Sequence, residues 1–261
     1  MEIVTDISKI RSLSQIISPS NFKKIVREDD CYSTFYKIKK YTTVTDSTTN
    51  LDAINVIYNS LLTNYKNEYV YKNILINKLL LKKYSLKNTI ALNEFNIGKS
   101  IADFVLLNGE ARIYEIKTEL DNLEKLDKQI VDYCKFGDKI YIVTSSKHIN
   151  RLLELYNNTT IGIIELTSKN TLKTIKEATT NEATFNYDVL FKTLRKYEYI
   201  EIIEEYFNFV PKVSNTRIFR ECLSLAKNIE IKVFQKLCVR VNISVIGGKH
   251  RKRSKSCRNP F

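Results

Sequence analysis

Hydrophobic positions along the chain change period twice, and the changes divide it into three stretches. Near the start, Ile10, Leu13, Ile16 and Ile17 recur at helical spacing before Pro19 interrupts them, and a polar connector runs from Thr42 to Asn50. From Asp52 the pattern predicts a long helix interrupted near Thr63 to Tyr65. A second helix over Glu68 to Lys83 carries Leu75, Leu79 and Lys72 on the same face as Glu68. That phasing places the Glu68 carboxylate on the face expected to pack inward. Period two then takes over in three segments rich in β-branched and aromatic residues: Thr89 to Asn96, Ser100 to Leu107 and Glu110 to Lys117. Asn108-Gly109 between the last two is a hairpin signal and makes them antiparallel neighbours. A helix from Asp121 to about Cys134 follows, its first turn made acidic by Glu119, Asp121 and Glu124. Next come a strand at Lys139 to Thr144, a helix around His148 to Leu155 and a strand at Ile161 to Leu166. Beyond the polar stretch Thr167 to Thr184 the stripes are helical again (Leu190, Leu194, Tyr197; then Cys222, Leu225, Ile229, Val233, Leu237), parted by Pro211. The order predicts an α/β fold with a mixed sheet and a helical C-terminal region. Its expected segments are 1–50, helical or irregular; 51–167, the α/β core; 168–246, helical; and 247–261, a basic disordered tail.

At 261 residues and 43% hydrophobic content, the chain is long enough for one large or two small globular domains. Neither a run of about 18 apolar residues nor a secretory leader pattern is present, so a soluble, cytoplasmic protein without membrane attachment is expected. Five scattered cysteines with no CxxC pairing argue against a disulfide framework or structural zinc. Two histidines leave little material for a Ser-His-Asp triad. Any catalysis is expected to run on carboxylates and lysines. The net charge of +13 points to a polyanionic partner, although a lysine-rich composition by itself can mean nothing more than an AT-rich genome. Lys249, Arg251, Lys252, Arg253, Lys255 and Arg258 concentrate part of the excess in the tail, and +13 less those six still leaves +7 on the body.

Candidate chemistry gathers at the hairpin. Glu115 and Lys117, two apart in a strand, share a face, and Ile116 points the other way. Asp103 on the preceding strand joins them only if the turn has the right length. A two-residue turn pairing Leu107 with Glu110 sends Asp103 and Glu115 to opposite faces. A three-residue loop, Leu107-Asn108-Gly109 with Gly109 left-handed, puts them on one face and is the expectation. Asp103, Glu115 and the upstream Glu68, with Glu94 a competitor for the role of Glu68, offer the oxygen ligands that Mg²⁺ or Mn²⁺ prefer. Lys117 would position a water or neutralise a phosphate. Lys125, Gln129 and Tyr133 follow at intervals of four on one helical face. An ExK tripeptide alone, in a chain this rich in lysine, is more often a solvated strand face; it is the surrounding set that makes a site.

Ile101-Ala102-Asp103 followed by Tyr114-Glu115-Ile116-Lys117 resembles the PD-(D/E)xK nuclease superfamily, with Ala102 where that motif has proline. Gln129-Ile130-Val131-Asp132-Tyr133 is similar to the QxxxY feature of its RecB-like members. The strings Asn67 to Asn73, Tyr114 to Tyr133 and Leu190 to Glu205 resemble an uncharacterised bacterial family within that superfamily, so the likeness covers about residues 55 to 206. It implies a restriction-endonuclease-like core of helix, three-strand meander, helix and strand. It also implies a Mg²⁺- or Mn²⁺-dependent nuclease acting on DNA rather than RNA. Asp103, Glu115 and Glu68 would hold the metal, Lys117 would assist the attacking water, and Gln129 would orient the lysine or the substrate, with Tyr133 in support. Lys125, Arg251, Lys252 and Arg253 are the expected nucleic-acid contacts, and a homodimer through the C-terminal helices is the expected assembly. The alternative expectation is a nucleic-acid-binding or structure-sensing module with this fold that does not cleave.

Overall fold

In the computed structural model, residues 3–18, 21, 27, 32–45, 47–81 and 88–246 are described. The tail, with Arg251, Lys252 and Arg253, lies outside them. Six strands form one mixed sheet in the order β1 to β6: β1 (Ile90–Ile97), β2 (Ser100–Leu107), β3 (Ala111–Lys117), β4 (Lys139–Thr144), β5 (Gly162–Leu166) and β6 (Leu172–Lys176). The β1-β2-β3 meander and the β5-β6 pair are antiparallel, whereas β3-β4-β5 are parallel. Central β3 and β4 are buried on both faces, which is why their sequences read as nearly continuous apolar runs. Edge strand β6 lies in the stretch expected to be a polar connector; Leu172-Lys173-Thr174-Ile175-Lys176 keeps its lysines at the sheet margin, where no apolar signal is required.

One sheet face carries α1 (Ile7–Ser14), α2 (Tyr32–Tyr41), α3 (Asn50–Asn64) and α4 (Glu68–Leu75), through Ile10, Ile38, Ile57, Leu61, Tyr71 and Leu75 against Phe104, Leu106, Tyr114 and Val143. The helix expected over Glu68 to Lys83 is regular only to Leu75 and continues as a wider π-helical turn, Ile76–Leu80. The other face carries α5 (Leu126–Cys134), α6 (Ser146–Tyr156), α7 (Tyr187–Lys192), α8 (Lys196–Phe207), α9 (Asn215–Ala226) and α10 (Ile231–Ile246). Ile130, Tyr133, Leu152, Phe191, Ile202 and Phe234 meet Val105, Ile113 and Ile142 there in a single cluster. The C-terminal helices therefore share the core of the sheet rather than building their own. Gln235 of α10 is tied to it by donating to Asp138 Oδ2 at 2.7 Å, the oxygen that also accepts the Ala111 N–H. Among the described residues no helix is long and apolar enough to cross a membrane.

The α5 helix starts at Leu126, five residues later than its acidic lead-in suggests. Asp121 is not in a first turn; its Oδ2 accepts the Thr118 N–H at 2.7 Å and the Thr118 hydroxyl at 2.8 Å. A carboxylate that closes a turn in this way competes with helix formation by satisfying the backbone locally.

Candidate active site

The β2-β3 connection is a three-residue loop, displaced by one position from the expected one: Leu107 pairs with Ala111, leaving Asn108-Gly109-Glu110 as the loop, with Gly109 at φ 66. A one-residue displacement of a three-residue loop moves the pairing by two and preserves which side chains share a face. Asp103 and Glu115 are the first residues beyond the last paired positions, Phe104 and Tyr114.

Ladder pairing between β2 and β3 stops at Phe104 and Tyr114. Beyond that point β2 stays bound to β1 as far as Ser100, and β3 to β4 as far as Lys117, so the two strands part into a fork. Asp103 stands at the fork, and its Oδ2 accepts the Ile116 N–H at 2.8 Å in place of a strand carbonyl. A local irregularity accompanies it. Across from Asp103, Glu94 has φ 55, and this one position drops out of an otherwise regular β1-β2 register. Leu92, Phe95 and Ile97 consequently all reach the α5 side of the sheet, as do Ala102 and Val105, although strict alternation forbids both sets. Left-handed backbone in a non-glycine residue is costly and concentrates where a side chain must be re-aimed.

Across the fork, α5 presents Gln129 and Tyr133. Lys117 Nζ donates to Glu115 Oε1 at 2.8 Å and to Gln129 Oε1 at 3.0 Å. The Tyr133 hydroxyl lies 2.7 Å from Glu115 Oε2 and 2.8 Å from the Ile101 carbonyl, with its single proton available to one of them at a time. Glu115 is 1% exposed and so is held at both oxygens inside the protein. Burial, and after it the Glu115 charge, push the Tyr133 phenol far above its ordinary range, so it serves Glu115 as a donor. Burial first, then the Glu115 charge, raise the Asp103 carboxyl to about 7. The Ile116 N–H pulls the other way, Glu68 adds to the rise and Lys72 opposes it.

Glu68 makes no hydrogen bond to this group, although its charge reaches Asp103. It begins α4, where Asn67 caps the helix by accepting the Val70 N–H, and its half-exposed side chain pairs with Lys72 at 2.5 Å. The inward residue of that face is Lys72, 7% exposed. Glu94 is exposed and lines a separate groove with Lys72, Asn73 and Tyr58. Among the described residues no group of three His, Cys, Asp or Glu side chains is arranged to hold a metal ion. The Asp103-Glu115 pair nevertheless fits a hard divalent cation. Its donors are all oxygen, Oδ1 of Asp103 has no hydrogen bond among the described residues, and Mg²⁺ takes one or two carboxylates and completes its shell with water and phosphate.

Lys125 lies just ahead of α5, exposed, on a groove of about 800 Å³ that it shares with Lys99, Ser100, Ile101, Lys128 and Gln129. Lys99 and Lys128 were not legible as site residues. Their signals are modest: a Gly98-Lys99 turn between two strands, and a lysine in the first turn of α5, three positions after Lys125 at its N-cap. Asp132 fastens that turn to α5 by accepting the Lys99 N–H at 3.0 Å and the Ser100 hydroxyl at 2.9 Å.

A family model described as bacteriophage P4 protein cII matches residues 62–259. Protein cII of Enterobacteria phage P4 is 28% identical over 93 residues, covering 35% of each chain, so the chain spans about a third of the length of this curated relative. Among solved structures, the SPO1766 protein of unknown function from Silicibacter pomeroyi is 16% identical, with a TM-score of 0.29 over 36% of this chain and 62% of its own.

Proposed function

The chain belongs to the bacteriophage P4 protein cII family, and from the chemistry at its sheet fork we propose that it is a metal-dependent nuclease that hydrolyses phosphodiester bonds, in DNA before RNA. The observation that carries this reading is the convergence of Asp103, Glu115, Lys117, Gln129 and Tyr133 from two strands and a helix onto one partly buried spot. The resemblance of those residues to the PD-(D/E)xK and QxxxY motifs supports it.

Asp103 and Glu115 would hold Mg²⁺ or Mn²⁺, which when bound supplies Lewis-acid polarisation of the phosphodiester and acidifies a water. The protein's own part is orientation and charge. Tyr133 holds one oxygen of Glu115 and Lys117 the other, so the carboxylate is fixed before substrate arrives. Gln129 fixes Lys117 from the far side through its carbonyl oxygen. Of the three N–H donors of an ammonium, two are thereby committed, leaving one to meet a phosphate oxygen or orient a water as negative charge builds. Ile116 N–H anchors Asp103 Oδ2. Lys125, beside Gln129 at the groove, supplies attraction for the phosphate backbone.

Digestion of supercoiled plasmid, linear duplex and single-stranded DNA, with Mg²⁺ or Mn²⁺ and with EDTA, compares the wild type with Lys117→Ala. Cleavage that needs the metal and disappears in the variant, while salt-sensitive binding persists, is the expected result. Binding without cleavage under either metal would overturn the hydrolase and leave the non-cleaving module.

A further inference from the structure

The groove that leaves the site past Gln129 is built differently from a surface that merely attracts a charged rod. Three lysines stand around it: Lys99 on the β1-β2 turn, and Lys125 and Lys128 at the start of α5. None makes an ion pair among the described residues. The two carboxylates that line it are both engaged. Asp127 accepts the Tyr156 hydroxyl, and Asp132 accepts the Lys99 N–H, the Ser100 hydroxyl and Lys135 Nζ. Lys135 also pairs with Asp132, and the three lysines outnumber the two carboxylates, so the net charge along the groove is positive.

Between the lysines the surface is apolar. Ile101 is 52% exposed and Val131 59% exposed, and both line the same groove. Ile101 is also joined to the site, because its carbonyl lies against the Tyr133 hydroxyl and its side chain precedes Asp103 by two residues. A duplex turns phosphates and sugars outward and hides the base faces. An unpaired strand offers phosphates and base faces together, which cationic and apolar positions in one groove can use at the same time.

We infer that this groove binds an unpaired strand of nucleic acid, with Lys99, Lys125 and Lys128 on its phosphates and Ile101 and Val131 against its bases, and feeds it to the fork at Gln129. The inference rests on the nuclease reading for the strand's destination and not for its binding. Substrate for the fork is then a single strand or a frayed or unwound end.

Fluorescence anisotropy of the full chain in EDTA, where no metal-dependent cleavage can occur, tests this with labelled single-stranded DNA, single-stranded RNA and duplex DNA of one length. Serine at both exposed apolar positions (Ile101→Ser with Val131→Ser) is expected to weaken single-strand binding roughly tenfold, from the loss of about half of each side chain's burial, and duplex binding less than about twofold. Glutamine at Lys99, Lys125 and Lys128 is expected to weaken both and to reduce the single-strand salt slope by about 2. Equal loss for duplex and single strand in the serine variant, or no loss, overturns the inference, provided circular dichroism shows the fold unchanged. Intact groove binding beside absent cleavage would instead sink the hydrolase alone.

Discussion

Removing the ammonium of Lys117 exposes how the site balances its charges. Lys117 and Glu115 pair at 2.8 Å with side chains only 12% and 1% exposed. Breaking a buried pair from one side leaves an uncompensated charge and costs about 3–5 kcal/mol. In Lys117→Ala the Glu115 carboxylate keeps only the Tyr133 hydroxyl, so a loss near the lower figure, about 3 kcal/mol, is expected. The reverse change is milder. In Glu115→Gln the amide oxygen still accepts from Tyr133, and the Lys117 stem can carry its ammonium toward the groove, so about 1–2 kcal/mol is expected. The double variant removes both charges and should cost about 2 kcal/mol less than the sum of the singles. Urea unfolding of all four proteins, followed by far-ultraviolet circular dichroism with unchanged slopes, measures the cycle. Additivity within about 0.5 kcal/mol, or a Lys117→Ala loss below that of Glu115→Gln, would refute a buried, mutually compensating pair at the fork.

Two further outcomes test the scaffold. A Cβ on Gly98, at φ 63, would sit 2.8 Å from Asp132 Oδ1, so Gly98→Ala should cost about 2–3 kcal/mol in thermal or urea unfolding by straining the turn and displacing its clamp; a loss under about 0.5 kcal/mol would contradict that geometry. Burial raises the Asp138 carboxyl above its ordinary 3.8, so the folded state keeps that proton to higher pH than the unfolded one. The associated stability is complete below 3.8 and is lost as pH rises through the folded value. Asp138→Asn, which keeps an acceptor for Ala111 and Gln235, should therefore flatten the decline in stability seen by denaturant titration from pH 4 upward, and a steeper decline would refute the assignment.

Much of the site was legible because its members are linked by local rules. Glu115 and Lys117 share a face through strand periodicity and Gln129 and Tyr133 through helical periodicity, and the loop between β2 and β3 has the expected three residues even though it is displaced by one; Asp103 itself is held by the Ile116 N–H where the strands part. The errors fall where a competing local contact or a distant partner overrides the pattern. Glu119 to Lys125 has the charge pattern of a helix start, but Asp121 closes a turn on Thr118 instead. Strand β6 has too little apolar content to announce itself and exists because β5 offers it an edge.

By itself, then, the sequence determined the order of elements up to β5, the antiparallel hairpin at Asn108-Gly109 and the carboxylate-lysine pair on its second strand, since each depends on residues a few positions apart whose spacing meets the period of one backbone conformation. Tertiary structure decided which member of the Glu68-Lys72 pair faces inward, how the fork opens at Asp103 and Glu94, and that Lys99 from a turn joins Lys125 and Lys128 from a helix along one groove. Those outcomes depend on how a helix sits on the sheet and where two strands part. They are set by packing between residues far apart in the chain, which no periodicity within a single segment encodes.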